Sequence, residues 1–177
     1  NHKLRLYNPQ TGLVQIICGA GAGFAGDGGP ARDALLSQPP QTALGPDGGL
    51  YILDQRNQRV RKIDTAGIIT TVVGDGTAGF TGDGGNPLAA RLHMPAGANP
   101  QPAGGLAFDA QGRLYIADAL NHRIRRVDFA SDQIATVAGN GEAGFAGDNG
   151  SALDAAFNNP RDLAFGPDGR LYIADDF

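Results

Sequence analysis

The sequence has little of what many sites and membrane anchors require. Its 177 residues include one cysteine, one methionine and no tryptophan. A lone cysteine excludes an internal disulfide framework and leaves the cellular compartment open. No stretch approaches the roughly 18 apolar residues of a membrane span, so we expect no membrane partner. The net charge of −4 gives no general attraction to nucleic acid or anionic lipid.

Glycine and proline are abundant instead, with 28 and 11 residues. This composition is typical of many short strands joined by turns, so we predict an all-β protein. The clearest stretch covers residues 105–128 and reads GLAFDAQGRLYIADALNHRIRRVD. It contains three strand patterns separated by turns, and Gly112 can supply the positive φ of the first hairpin.

This stretch is repeated along the chain. Similar text occurs at 43–64 and 163–177, and residues 1–17 match the later part of the repeat. With the strands of one repeat named a to d, the predicted order is c, d (1–18), then two full repeats (41–74 and 104–139), then a, b (161–177). Four antiparallel strands per repeat predict the blades of a β-propeller, about three per chain.

Gly-rich loops and one Pro-rich insertion connect the repeated strands. A Gly-rich loop follows every strand d, starting at Gly19, Gly74 and Gly139. The segment before the third copy of strand a is longer than its counterpart: Leu92 to Phe108 spans 16 positions, where Phe157 to Phe165 spans 8. This Pro-rich insertion lies between His93 and Gly104. Insertions in propellers map to loops, often those of a binding face.

Three blades are too few for a ring, because ordinary propellers carry about 4 to 8. Joining Phe177 to Asn1 would place the sequence around the junction in register with 118–123. Two interpretations follow. The chain is an excerpt of a longer array, or two copies form a homodimer with six blades around a two-fold axis.

The run Asn-His-Arg-Ile-Arg-Arg-Val-Asp at 121–128 is preceded by Leu-Tyr-Ile-Ala-Asp and followed by Ala-Gly-Asn-Gly-Glu-Ala-Gly-Phe-Ala-Gly-Asp. This text resembles the NHL repeat in its bacterial form, and the resemblance covers nearly all the chain. It implies half of a six-bladed propeller that acts as a platform for protein or RNA partners. Related propellers include a metal-dependent lyase that completes peptide amidation.

The same resemblance suggests a metal site. In the amidating lyases, histidines at the b-to-c turns converge on a metal near the axis, and His2 and His122 fall at such positions. Gln58 takes the equivalent place in the second copy and breaks the series. A catalytic zinc site needs about three protein ligands. We therefore expect no cofactor, with zinc as an alternative.

Acidic residues recur in the Gly-rich loops as Asp27, Asp83 and Asp148. Calcium is an alternative ligand, but it takes about six to eight oxygens and each loop offers one carboxylate. We expect these side chains to accept hydrogen bonds from loop amides. Nearby phenylalanines are predicted to be hydrophobic plugs against the blades, namely Phe24, Phe80 and Phe145.

Strand b ends in an aspartate in every copy, at Asp54, Asp118 and Asp175. We expect these carboxylates to fix the b-to-c turn through backbone amides, or to pair with an arginine that begins strand c, such as Arg59 or Arg123. A second arginine recurs within strand c, as Arg5, Arg61 and Arg125. A carboxylate partner is a better explanation for this series than a phosphate.

Residues that repeat in every copy serve what each blade needs, so specific recognition is expected where the copies differ. The sequence contains no Ser/His/Asp arrangement, cysteine pair or phosphate-binding GxxxxGK[ST] motif. The favoured function is a non-enzymatic scaffold for a protein or peptide. The alternatives are a metal-dependent lyase or hydrolase at the axis and an RNA-binding NHL surface, although nucleic acid is disfavoured by the charge. The candidate binding residues are Gln58, His93, Met94, Pro95, Asn99, Asn121 and His122.

Overall fold

The computed structural model describes residues 1–97 and 101–176, and these residues form strands, turns and short 3-10 helices without any α-helix. The predicted all-β class is confirmed. No helix in the described ranges is both long and apolar enough to span a membrane. The strands are β1 (Leu4–Asn8), β2 (Leu13–Cys18), β3 (Gly21–Ala22), β4 (Leu35–Leu36), β5 (Thr42–Leu44), β6 (Leu50–Asp54), β7 (Arg59–Ile63), β8 (Ile69–Val73), β9 (Leu106–Phe108), β10 (Leu114–Asp118), β11 (Arg123–Asp128), β12 (Gln133–Ala138), β13 (Asp162–Phe165) and β14 (Leu171–Ala174). The 3-10 helices are η1 (Ala31–Asp33), η2 (Gln55–Asn57), η3 (Pro87–Ala89) and η4 (Ala119–Asn121).

The strands assemble into antiparallel sheets that follow chain order. Strands β5 to β8 form one four-stranded sheet, and β9 to β12 form a second. The β1–β2 and β13–β14 hairpins are two-stranded sheets that match the second and first halves of such a blade. The prediction of four-stranded antiparallel propeller blades is confirmed. A small parallel pair, β3 with β4, lies within the first Gly-rich loop.

Strand β10 shows why these residues form a blade. Leu114 and Ile116 lie on one face and are fully buried, and Ala117 on the other face is also buried. A strand with apolar residues on both faces needs a neighbouring blade on each side. The preceding hairpin closes as predicted, because Gly112 has a φ of +80° and Asp109 Oδ1 accepts hydrogen bonds from two amides of the turn.

The core consists of apolar layers between successive blades. The layer between the two complete blades contains Leu53, Leu92 and Ile116. A second layer joins the β1–β2 hairpin to the next blade and includes Cys18, whose burial raises the pKa of its thiol to about 11. Each fully buried Leu or Ile contributes about 1.5 to 3 kcal/mol.

An aromatic contact repeats at the junctions between blades. Tyr51 of β6 meets Phe108 of β9 edge to face, with ring centroids 4.8 Å apart. Tyr115 of β10 meets Phe165 of β13 in the same way at 5.0 Å. Such pairs add about 0.5 to 1.5 kcal/mol to the burial term and fix how one blade sits on the next.

Candidate functional site

The b-to-c turns and the segments that enter strand a gather on one face of the molecule. This follows from antiparallel pairing, since Thr42 at the start of β5 faces Ile52 near the end of β6. We call it the insertion face, and it comprises residues 38–41, 55–58, 93–97, 101–104, 119–122 and 158–161. The predicted binding residues that the structure describes belong to it, and Asn99 lies outside the described residues.

One buried side chain ties both ends of the insertion to the preceding blade. Gln55 of η2 is 1% exposed. Its Nε2 donates to the carbonyl oxygens of Pro95 and Gln101, each at 3.0 Å, and its Oε1 accepts from the amide of Ala103 at 3.2 Å. The carboxamide therefore uses all of its donors and one acceptor position to close the base of the insertion. Sequence reasoning singled out the turn but did not identify this role.

Gln58 holds the beginning of the same segment. Its Oε1 accepts from the amide of Met94 at 2.7 Å, and its Nε2 donates to the carbonyl oxygen of Met94 at 3.0 Å. The Met94 side chain is fully buried in the apolar layer between the blades. Both predicted binding residues thus make internal contacts that position the insertion.

His2 and His122 do at their turns what Gln58 does at its own. His2 Nδ1 accepts from the amide of Gln38 at 3.1 Å, and His122 Nδ1 accepts from the amide of Asn159 at 3.2 Å. All three turn residues have a left-handed φ of 53 to 54°. Burial lowers the pKa of His122, which favours the neutral imidazole that can accept a hydrogen bond. A glutamine can replace a histidine here because each offers one acceptor at this distance.

No group of three or more His, Cys, Asp or Glu side chains lies close enough to bind a metal ion within residues 1–97 and 101–176. The two candidate histidines, His2 and His122, each use Nδ1 to accept a hydrogen bond from a backbone amide. This nitrogen is therefore already engaged within the fold.

The aspartate that ends strand b connects three parts of the structure. Asp118 Oδ1 accepts from the amide of His93 at 2.7 Å, while Oδ2 accepts from Asn121 Nδ2 at 2.8 Å and from Arg125 Nη1 at 3.2 Å. Burial raises the pKa of this carboxyl group to about 6. Asn121 is buried as well, and its Nδ2 also donates to the carbonyl oxygen of Gly79 at 2.8 Å.

Asp54 makes the equivalent contacts, with the amide of Ser37 at 2.6 Å and with Arg61 Nη1 at 3.4 Å. The predicted pairing with Arg59 or Arg123 is wrong, because the side chain that reaches the aspartate comes from two residues further along strand c. The amides that donate to these aspartates belong to the segment that enters strand a of the same blade, not to the b-to-c turn.

The prediction for the Gly-rich loops also needs correction. Asp27 does not accept from amides of its own loop: its Oδ1 accepts from Arg61 Nε at 2.9 Å, and its Oδ2 accepts from Thr71 Oγ1 at 2.6 Å. Asp83 pairs with Arg125 Nη2 at 2.7 Å in the same way. Both arginines are fully buried, and each has a carboxylate partner as predicted, whereas Arg5 is exposed and pairs with no carboxylate among the described residues.

The phenylalanines of the first two Gly-rich loops lie against the arginines that begin strand c. The Arg59 guanidinium is 3.9 Å from the ring centroid of Phe24, and that of Arg123 is 4.0 Å from the ring centroid of Phe80. These two rings therefore pack on the following blade, as predicted, but through cation–π contacts rather than through apolar packing alone. Phe145 is 79% exposed and does not pack in this way among the described residues.

A cavity of about 170 Å³ opens on the insertion face, where successive copies of strand a meet. Gln41 crosses it: its Oε1 accepts from the amide of Leu106, and its Nε2 donates to Asp162 Oδ1. Arg161 forms an ion pair with Asp176 and donates through Nη1 to the carbonyl oxygen of Pro102 at 3.4 Å. The cavity is lined by Pro40, Gln41, Pro102, Ala103, Gly104, Arg161 and Asp162. The sequence did not predict these cavity-lining residues. The one feature of the sequence that could have indicated them is that the residue before strand a differs in every copy.

His93 and Pro95 are half-buried at the edge of this face. The structure thus brings the insertion, Gln55, Gln58 and the cavity together on one side of the second and third blades. His122 lies at the following junction, beside the segment that enters β13.

Several known proteins are similar to this chain in sequence, in fold or in both. The Teneurin NHL domain family matches residues 20–96. NHL repeat-containing protein 2 of Bos taurus is 31% identical over 153 residues, which cover 80% of this chain and 20% of the relative. The chain spans 16 to 20% of the length of the first curated relatives that it matches.

Two solved structures from Bacteroides thetaiotaomicron have the same fold. A structural genomics protein of unknown function has a TM-score of 0.75 at 24% identity, and the match covers 99% of this chain and 40% of that one. An auxiliary nutrient binding protein has a TM-score of 0.68 at 20% identity, over 98% of this chain and 40% of that one. The repeated sequence, the four-stranded blades and these matches agree: the chain belongs to the NHL-repeat family of β-propeller proteins.

Proposed function

We propose that the chain is a non-enzymatic binding scaffold whose insertion face takes a protein or peptide partner. The observation that carries this proposal is the fixed insertion. Gln55 has three hydrogen bonds to the insertion, and the equivalent turn position in the next blade is Ala119, which has no side chain for this task. The insertion and its anchor thus occur together at one junction between blades.

The repeated charged residues have architectural roles. Arg61 and Arg125 bind aspartates from their own blade and from the preceding Gly-rich loop. These groups hold adjacent blades together, which leaves the non-repeated residues to provide specific contacts. Residues of this kind on the insertion face are Gln41, Pro102 and Arg161, and Asp162 follows at the start of β13.

The cavity between these residues suits a polypeptide. Pro40 and Pro102 supply apolar walls, and the amide of Gln41 with the charges of Arg161 and Asp162 supplies polar groups. Prolines also limit the flexibility of the insertion and so reduce the ordering cost of binding. A net charge of −4 disfavours RNA, whose binding depends on cationic side chains.

The comparisons fit a binding role. The Bacteroides thetaiotaomicron nutrient binding protein is a binding protein by its name, and it shares the blade architecture. The alternative of a metal-dependent lyase or hydrolase has less support, because His2 and His122 each use Nδ1 to accept a hydrogen bond from a backbone amide.

Selection of peptides from a random library on the immobilised chain tests this proposal. The affinities of the selected peptides are then measured with Arg161→Ala and with Pro102→Ser, and Arg170→Ala on the a-to-b hairpin of the opposite face serves as the matched control. We expect at least about tenfold weaker binding for the first two variants, since interface anchors cost more than about 1 kcal/mol on truncation. Equal loss with the control variant, or peptides insensitive to all three changes, would place the binding surface elsewhere.

A further inference from the structure

The face opposite the insertion face carries the a-to-b hairpins and the c-to-d turns, because neighbouring strands of a blade run in opposite directions. A cavity of about 270 Å³ opens on this face, between the two complete blades. All of its lining residues lie between positions 46 and 129. The cavity is therefore separate from the insertion face and from the peptide surface proposed there.

Three aromatic rings form one side of this cavity. Tyr51 meets Phe108 edge to face, and the ring centroid of Phe129 lies 5.8 Å from that of Tyr51. The Tyr51–Phe108 pair has a counterpart at the next junction, but the other two c-to-d turns have Thr65 and Pro9 in place of Phe129. Phe129 is also 37% exposed. The third ring thus serves no need that every blade shares, and it adds an accessible apolar surface to the cavity.

An ion pair forms the polar rim of the cavity. Lys62 Nζ is 2.5 Å from Asp47 Oδ2 and 5.6 Å from the ring centroid of Tyr51. Gly49 leaves the space for this arrangement, since a Cβ at that position would lie 2.6 Å from Lys62 Cε. The other two copies of the hairpin have arginine in place of Gly49. The position of the lysine at the cavity therefore depends on a residue that differs from its counterparts.

The carboxylate of this ion pair is largely occupied, whereas the ammonium group is not. Asp47 Oδ1 accepts from the amide of Gly49 at 3.0 Å, and Oδ2 accepts from the hydroxyl group of Tyr51 at 3.1 Å as well as from the lysine. The hydrogen bond from Lys62 lowers the pKa of Asp47 and so keeps it ionised. An ammonium group has three N–H donors, and within residues 1–97 and 101–176 that of Lys62 contacts one carboxylate. Lys62 can therefore donate to a group bound in the cavity.

We propose that this cavity binds a small aromatic carboxylate, with its ring against Tyr51 and Phe129 and its carboxylate accepting from Lys62. Size supports the ring, because an apolar cavity of about 150 Å³ holds benzene, and this one has room for a ring with a short acidic side chain. Charge selects the acid: the ammonium group has donors to offer, whereas a cationic ligand would be repelled by Lys62 and would find Asp47 already bound.

NMR titration of the chain with three probes tests this assignment: 3-phenylpropionate, 3-phenylpropylamine and propionate. We expect 3-phenylpropionate to cause saturable shifts of amides at the cavity, such as that of Gly112, with a Kd on the order of 1 mM for a ligand of this size. The amine lacks the acceptor for Lys62, and propionate lacks the ring. Each of these two probes should therefore bind at least about tenfold more weakly.

Variants then locate the two contacts. Lys62→Met removes the donors but keeps the apolar body of the side chain, so 3-phenylpropionate should bind about tenfold more weakly while the amine binds no more weakly. Phe129→Thr introduces the residue that the second blade has at this turn, so the fold should be kept while both ring-bearing probes lose affinity. Arg126→Met is the matched control, because Arg126 takes the place of Lys62 in the next blade and does not line the cavity.

Three outcomes would overturn the proposal. The first is the absence of saturable shifts at the cavity with 3-phenylpropionate. The second is equal affinity for the acid and the amine, which would show that Lys62 does not select the ligand. The third is binding of 3-phenylpropionate that neither Lys62→Met nor Phe129→Thr weakens, or that Arg126→Met weakens to the same degree.

Discussion

Replacement of Gln55 by alanine should release the insertion while the blades stay folded. The substitution removes three hydrogen bonds, to Pro95, Gln101 and Ala103. Each neutral hydrogen bond contributes about 1 kcal/mol net, and a buried group left without a partner costs more. The freed carbonyl and amide groups belong to a surface segment, where water can reach them when the segment moves. We therefore expect a local cost of roughly 2 to 3 kcal/mol.

Amide hydrogen exchange measures this cost directly. The amide of Ala103 donates to Gln55 and is buried, so it reports on opening of the insertion base. A loss of 2 to 3 kcal/mol should lower its protection by roughly 30- to 150-fold, since about 1.36 kcal/mol is a factor of ten. The amide of Ile116, in the centre of β10, should change little because its partners lie within the sheet.

Two variants control the experiment. Arg56→Ala changes the exposed neighbour on the same turn and should leave exchange at Ala103 unchanged. Gln55→Glu keeps an acceptor for Ala103 but directs a carboxylate at the two carbonyl oxygens, so it should open the insertion at neutral pH. Unchanged protection of Ala103 in Gln55→Ala would refute the anchoring role, and equal loss at Ala103 and Ile116 would show a global effect instead.

Four further predictions concern the repeated residues. Burial raises the pKa of Asp118 to about 6, so the native state holds a proton more tightly than the unfolded chain does. In urea unfolding, the wild type should therefore gain stability relative to Asp118→Asn as the pH falls from 7 towards 4. Parallel pH profiles of the two proteins would contradict this prediction. His122→Gln should change stability by less than about 0.5 kcal/mol, because the second repeat has glutamine there; a zinc-dependent rise in melting temperature that this variant abolishes would favour the metal alternative. Asp27→Ala should lower the free energy of unfolding by roughly 2 kcal/mol, because it leaves the buried Arg61 with one carboxylate partner fewer. This figure is below that of a fully buried ion pair because Asp27 is partly exposed to solvent. Asp148→Ala should cost almost nothing in stability, because this exposed carboxylate forms no ion pair within residues 1–97 and 101–176, and a loss of stability on calcium chelation would identify the loops as metal sites.

The strands were predictable because their information is local. The 105–128 stretch alternates apolar segments with turn residues, and its recurrence fixes four strands per repeat. Gly112 illustrates this, since the positive φ that its hairpin needs is a property of four consecutive residues. The b-to-c turns were located correctly for the same reason.

Contacts between blades were harder to predict, since they join residues distant in sequence. Asp27 and Arg61 are 34 residues apart and belong to different blades. Their joint recurrence with Asp83 and Arg125 was a usable signal, but it could not show which of two arginines in strand c the carboxylate meets. Gln41 gave no signal at all, because its hydrogen bonds depend on how three copies of strand a converge.

The differences between the copies are informative because they are linked in space. Gln55 and the insertion are about forty positions apart, with the Gln55–Pro95 hydrogen bond spanning 40 residues. The b-to-c turn and the insertion are separate in sequence and each differs between the copies, yet the carboxamide of Gln55 joins them. A loop held in place by a dedicated buried side chain loses little entropy when a partner binds it, which lowers the cost of recognition. This coupling makes the insertion face, rather than the repeated arginines or histidines, the surface on which a partner is best sought.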